Sequence, residues 1–156
     1  MLEVKSLSAG YSDTHVLEHV DFRIPSGKVT VILGPNGCGK STLLKALCGI
    51  IPADSGQVVL DGENILTLPQ RQLAQRVAYL AQSRQIPDIT VERLVLHGRF
   101  PYLGYPRRYR KEDYAIADAA MKPWVLQSWQ MSWCRISPAD SGRKFILPWP
   151  LLRIRQ

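Results

Sequence analysis

Apolar and polar positions alternate in several short stretches in the first part of the chain. Leu2 to Leu7 and Val20 to Ile24 alternate with a period of two, which predicts half-buried strands. Val29 to Leu33 is a continuous apolar, β-branched run, typical of a buried strand, and Gln57 to Leu60 is a shorter candidate strand. Turns rich in glycine and proline separate these segments.

Helical patterns alternate with the predicted strands. Thr42 to Cys48 follows the third strand, and Thr67 with Pro69 resembles a helix start. Thr90 is a candidate N-cap for a helix through Leu94, Val95 and Leu96. Lys111 to Met121 is a stronger helix, with Glu112 and Asp113 in its first turn. The mixture predicts an α/β fold.

The third strand and its helix are joined by a complete phosphate-binding loop of the pattern G-x-x-x-x-G-K-[ST]. Glycines let successive N–H groups point inward at phosphate oxygens, and the helix N-terminus favours the same anion. The lysine can reach the β- and γ-phosphates of a nucleotide, and the hydroxyl after it can bind Mg²⁺. The predicted site residues are Gly34, Pro35, Asn36, Gly37, Cys38, Gly39, Lys40, Ser41 and Thr42.

The order of motifs around this loop resembles the nucleotide-binding subunits of ATP-binding-cassette (ABC) transporters. Tyr11 precedes the loop where the family has an aromatic residue that stacks on adenine, and Gln82 follows it in the run VAYLAQ. The resemblance implies that Gln82, with Ser41, contacts the Mg²⁺ that accompanies ATP. The stretches LDGENILTLPQRQLAQRVAYLAQ, ITVERLVLHGRFPYLG and KEDYAIADAAM are similar to the branch that serves importers of ferric siderophores, haem and cobalamin. The resemblance covers residues 1–121.

The composition changes after Met121. Up to that residue there are 14 Lys and Arg against 12 Asp and Glu, whereas from Lys122 onward there are 6 against 1. The net charge of +7 is therefore mostly a property of the last segment, which also holds all four tryptophans. The family's LSGGQ signature, its Asp-Glu strand end and its switch histidine are not found there. No catalytic residue is therefore assigned.

A shifted reading frame would explain this change. One choice of codons for the segment from Ser137 to Phe145, read one base earlier, translates as LSGGQRQKV. We therefore expect residues 1–121 to be the N-terminal part of an ABC ATP-binding domain, and residues 122–156 to be a poorly structured, non-native tail. The expected fold is an incomplete P-loop NTPase with an N-terminal β subdomain, the phosphate-loop strand and helix in a parallel-centred sheet, and part of the helical subdomain.

The resemblance implies an ATP-binding subunit that energises uptake of iron-siderophore-type substrates. Its cofactors would be ATP and Mg²⁺. Its partners would be membrane permease subunits, a substrate-binding protein and a second ATP-binding subunit, at the inner face of the cell membrane. This chain would bind ATP weakly and turn over negligibly. A non-transport ABC-type ATPase acting on ribosomes or DNA, and a small phosphoryl-transfer kinase, are the alternatives.

Remaining features of the chain point to no other class of site. Cys38, Cys48 and Cys134 lack the spacing of a disulfide framework or a zinc site, and no apolar run reaches membrane-spanning length. The sequence favours a cytoplasmic protein that binds no nucleic acid. The basic segment Arg107, Arg108, Arg110 and Lys111 is interpreted as a solvated loop, with phospholipid head groups or a permease as the alternative contacts.

Overall fold

The protein is described by a computed structural model that covers residues 1–12, 14–81 and 89–124. The chain divides into two units, residues 1–79 and residues 80–156. Gln82 and the segment from residue 125 onward lie outside the described residues, so the predictions made for them stay predictions.

The first unit contains a four-stranded antiparallel sheet in the order β2-β1-β3-β4. The strands are β1 (Leu2–Tyr11), β2 (Thr14–Ile24), β3 (Ser55–Leu60) and β4 (Glu63–Asn64). β1 and β2 contain the two segments predicted from period-two alternation, and β3 contains the shorter candidate strand Gln57 to Leu60. β1 lies at the centre, with β2 on one side and β3 on the other.

β1 is longer than predicted, and its pairing with β2 contains shifts of register. The register between β1 and β2 shifts after Val4 and again after Leu7, and Ser6 has a positive φ of 45°. The Ser6 N–H, displaced from the ladder, donates to Asp21 Oδ1 at 2.9 Å. Such bulges add a residue to one strand and increase its twist. As a consequence the strand extends to Tyr11, where the chain turns into β2.

Two helices and a short 3₁₀ turn, Ile65–Thr67, accompany this sheet: α1 (Lys40–Leu47) and α2 (Gln70–Arg76). Both helices match their predicted positions, and α2 begins directly after Pro69. The sheet, the helices and the 3₁₀ turn bury a common apolar cluster that stabilises the unit by removing apolar surface from water. Its buried members are Val4, Leu7, Ala9, Leu17, Leu43, Ala46, Leu47, Val58, Ile65 and Leu73.

The second unit is helical in its described part, with α3 (Val91–His97) and α4 (Lys111–Met121). Thr90 caps α3 as predicted, because its side chain accepts a hydrogen bond from the Arg93 N–H. Short 3₁₀ turns lie at Phe100–Tyr102 and Lys122–Trp124. The buried cluster between the helices consists of Val91, Val95, Leu96, Ala117 and Met121.

The prediction of a buried strand at Val29 to Leu33 is wrong for this structure. No strand forms there, and Val29, Val31 and Leu33 are 93%, 71% and 86% exposed. Only Ile32 packs against the apolar cluster of the first unit. The reason is the lack of a neighbour: within the described residues every strand pair is antiparallel and none involves this segment. The parallel-centred sheet is likewise not formed by these residues.

No helix in the described ranges is both long and apolar enough to span a membrane.

Candidate functional site

The phosphate-loop residues form a curled segment that ends in a helix. Gly37 and Gly39 have φ values of +84° and +89°, a region that side chains with a Cβ rarely adopt. A Cβ at Gly39 would also lie 3.2 Å from Leu17 Cδ2 and from Val16 Cγ1. The glycine at this position is therefore required by the backbone and by its neighbours on β2.

The helix that follows the loop begins without a side-chain cap. Gly39 is the N-cap of α1 and offers no side chain to the first N–H groups of the helix. The first turn contains no acidic side chain, so nothing offsets its positive dipole end. The Ser41 side chain is exposed and the Thr42 side chain is buried. This combination of free N–H groups and an exposed hydroxyl suits a phosphate ligand.

Lys40 places its ammonium group inside the curl of the loop. Its Nζ donates to the carbonyl oxygens of Gly34 and Pro35, at 2.8 Å and 2.6 Å, and lies 3.5 Å from Cys38 Sγ. A cation therefore lies at the point towards which the loop curls. Carbonyl contacts of this kind can be exchanged for contacts to phosphate oxygens, which bind an ammonium more strongly because they are charged.

Tyr11 lies beside α1, although it precedes the start of the loop by 23 positions in the sequence. Its hydroxyl accepts a hydrogen bond from Lys45 Nζ at 3.2 Å, and that ammonium is 5.5 Å from the centre of the ring. The hydrogen bond from Lys45 lowers the pKa of Tyr11, and the same bond raises the pKa of Lys45. The ring stays 44% exposed and accessible to a ligand.

Lys45, which contacts the predicted site residue Tyr11, is not among the residues predicted from the sequence. It lies four positions after Ser41 on α1, and residues at this spacing share one face of a helix. This spacing from Ser41 is the sequence feature that points to Lys45. The sequence predicts a ligand, and not a side chain, as the partner of Tyr11.

Of the sequence-predicted site residues, the structure brings together the loop from Gly34 to Thr42 and Tyr11. It does so through two elements, the β1–β2 hairpin and α1. Gln82, the second predicted Mg²⁺ contact, lies outside the described residues. Among the residues that the structure does describe, no group of three or more His, Cys, Asp or Glu side chains could hold a metal ion by itself.

Comparisons with known proteins define the class of this site. The sequence model of the ABC transporter family matches residues 17–138. The chain is 43% identical over 122 residues to the ferric enterobactin transport ATP-binding protein FepC of Escherichia coli strain K12, covering 78% of this chain and 45% of FepC. It is 37% identical over 127 residues to the probable siderophore transport system ATP-binding protein YusV of Bacillus subtilis strain 168, covering 81% of this chain and 46% of YusV.

Solved structures agree with this class. A nucleotide-free ATP-binding cassette from an ABC transporter superposes with a TM-score of 0.75 at 23% identity, covering 88% of this chain and 59% of that one. CbiO1 from Clostridium perfringens, part of the transporter complex CbiONQ, gives 0.69 at 28% identity, with coverages of 85% and 53%. The chain belongs to the ABC transporter family. It spans about half the length of the curated relatives it matches.

Proposed function

We propose that this chain is the phosphate-binding part of an ATP-binding subunit, in an importer of iron-siderophore-type substrates. The observation that carries the proposal is the position of the Lys40 ammonium inside a glycine-rich curl, directly before an uncapped helix. The substrate class comes from the relatives, whose names refer to ferric enterobactin and siderophore transport.

The described residues fit the triphosphate of ATP. The uncapped N–H groups at the start of α1 are donors that need an acceptor, and phosphate oxygens supply it. Lys40 would exchange its two carbonyl acceptors for phosphate oxygens. Tyr11, exposed beside α1, would pack its ring against the adenine base.

Ser41 and Gln82 would hold the Mg²⁺ that accompanies ATP. The Ser41 hydroxyl is exposed at the start of α1 and is a hard oxygen donor of the kind that Mg²⁺ prefers. Mg²⁺ held there would neutralise part of the negative charge of the phosphate groups.

The chain as given would bind ATP weakly and hydrolyse it negligibly. Its sequence contains no Asp-Glu dipeptide and no histidine after His97, so we assign no residue that would polarise the attacking water. In the complete assembly, a second ATP-binding subunit, permease subunits and a substrate-binding protein would act with it. We place this assembly at the inner face of the cell membrane, with the ATP-binding subunit peripheral on it.

The experiment is a calorimetric titration of the full chain with ATP in the presence of Mg²⁺. We expect measurable binding that falls about tenfold or more in Lys40→Ala, because hydrogen bonds to a charged group are lost. Lys28→Ala removes an exposed lysine outside the loop and should leave the affinity unchanged. Equal affinities of Lys40→Ala and the unaltered chain would exclude this loop as the site.

We further propose that residues 122–156 are read from a shifted frame. The support is the abrupt change in charge and tryptophan content after Met121, together with one choice of codons for Ser137 to Phe145 that reads LSGGQRQKV in the shifted frame. Sequencing the gene across the codons for Ala120 to Trp124 tests this. An additional or missing base that restores LSGGQ is the expected result, and a single uninterrupted frame with no such alternative contradicts it.

A further inference from the structure

A basic loop, residues 104–112, connects the 3₁₀ turn at Phe100–Tyr102 to the first residues of α4. It carries four cationic side chains, at positions 107, 108, 110 and 111, and all four are exposed. Tyr105 in the same loop is 99% exposed. The loop therefore combines a concentrated positive charge with an aromatic ring that lies in solvent.

The carboxylates near the basic loop do not neutralise this charge. Asp113 is 7% exposed and is already engaged: its Oδ1 accepts from Arg99 Nε at 3.0 Å, and its Oδ2 accepts from the Arg110 N–H at 3.0 Å. Burial works to raise the pKa of Asp113, but these two donors outweigh it, and its pKa lies below the ordinary value. Asp118 pairs with Lys122 at 3.6 Å.

Glu112 is thus the one exposed carboxylate within the basic loop, against four cations. No ion pair of Arg107, Arg108 or Lys111 is formed with the described residues. Such an excess of one sign of charge exceeds the mixture of both signs that is usual on the surface of a soluble domain.

Most aromatic rings around the basic loop are occupied by protein contacts. The Arg107 guanidinium lies 4.5 Å from the centre of the Phe100 ring, and that of Arg99 lies 4.2 Å from the centre of the Tyr102 ring. Tyr109 packs against the apolar cluster of α3 and α4. Tyr105, at 99% exposed, is the most exposed of these rings and makes none of these contacts. Proteins that bind single-stranded nucleic acid stack successive bases on several rings. Here the other exposed rings, Phe100 and Tyr114, already contact Arg107 and Tyr109.

We propose that the basic loop is a contact surface for anionic phospholipid head groups. Clustered lysines and arginines are attracted to the negative surface of such a membrane, and a tyrosine with an apolar body and a polar hydroxyl suits the interface between head groups and acyl chains. A membrane surface is the environment of an ABC transporter, the family to which this chain belongs. The contact requires neither ATP nor a residue of the phosphate loop.

The test is co-sedimentation of the full chain with vesicles of phosphatidylcholine, with or without phosphatidylserine. We expect partitioning that requires phosphatidylserine and weakens as salt is raised, because screening shortens the reach of the charges. In the double variant Arg107→Gln/Arg108→Gln, the partition coefficient should fall about 25-fold, since each basic residue near the surface contributes about fivefold. Adding Tyr105→Ala to this double variant should lower the partition coefficient further, in vesicles of the same charge.

The matched control is Lys28→Gln/Arg93→Gln, which removes the same charge from two exposed positions outside the basic loop. It should lower the partition coefficient by no more than about twofold, as an effect of net charge at long range. An equal loss in both double variants would overturn the proposal, because net charge alone would then explain binding. A basic-loop variant that loses affinity for a single-stranded RNA but not for anionic vesicles would overturn it in favour of nucleic acid.

Discussion

Two segments of the first unit that the sequence predicts as strands, β1 and residues 29–33, differ in the structure: only β1 forms a strand. β1 pairs with β2 on one side and β3 on the other, and Leu7 within it is fully buried. Residues 29–33 pair with no described strand, and Leu33 is 86% exposed. A segment with a strand-like pattern therefore forms a strand only when another segment supplies its backbone partners.

The loop that follows residues 29–33 behaves differently, because its shape depends on local contacts. Positive φ values at Gly37 and Gly39 and the bonds from Lys40 Nζ to two nearby carbonyls involve residues at most six positions apart. The phosphate loop can thus keep its curl beside a segment that has no sheet neighbour. The curl of the phosphate loop therefore does not require residues 29–33 to form a strand.

Hydrogen exchange tests directly whether β1 is paired and residues 29–33 are unpaired in solution. The amide hydrogens of β1 that are bonded to β2 and β3 should exchange slowly, whereas those of Val29, Val31 and Leu33 should exchange at nearly the rate of an unfolded chain. We expect at least about a thousandfold difference, because ladder amides exchange through openings that approach the global free energy of unfolding. Mass spectrometry with residue resolution measures it. Equal protection of the two segments would show that residues 29–33 are paired in solution.

Matched leucine truncations test the same contrast in free energy. Leu7→Ala removes a fully buried side chain and should lower the free energy of unfolding by about 3–5 kcal/mol. Leu33→Ala makes the same chemical change at an exposed side chain and should alter it by no more than about 0.5 kcal/mol. Urea denaturation followed by circular dichroism measures both. A loss in Leu33→Ala comparable to that in Leu7→Ala would mean that Leu33 is packed.

The smallest expected effect concerns the contact between the end of β1 and α1. Lys45→Met removes the hydrogen bond to the Tyr11 hydroxyl, so the pKa of Tyr11 should rise towards its ordinary value of 10.0. Alkaline titration of phenolate absorbance, taken as the difference from a Tyr11→Phe version of each protein, isolates this group. Lys28→Met serves as the control and should not shift it. An unchanged titration in Lys45→Met would argue that β1 and α1 do not meet here in solution.

Much of the local structure could be predicted because its causes lie within a few residues. The N-cap of α3 needs only Thr90 and the Arg93 N–H, and the bounds of α4 follow from its own composition. The phosphate loop is recognisable for the same reason, since its glycines, lysine and hydroxyl are consecutive. These features, with the alternation in β1 and β2, indicate the α/β class of the chain.

The sequence by itself determined the phosphate loop, the helix starts and the segments able to form strands. The tertiary structure alone decided which of those segments became strands, that β1 extends to Tyr11, and that Lys45 meets the Tyr11 hydroxyl. The pairing of Arg99 with Asp113 belongs to the same group. The physical reason is that ladder hydrogen bonds, bulges and buried ion pairs join groups far apart along the chain, so their formation depends on which segments fold beside each other.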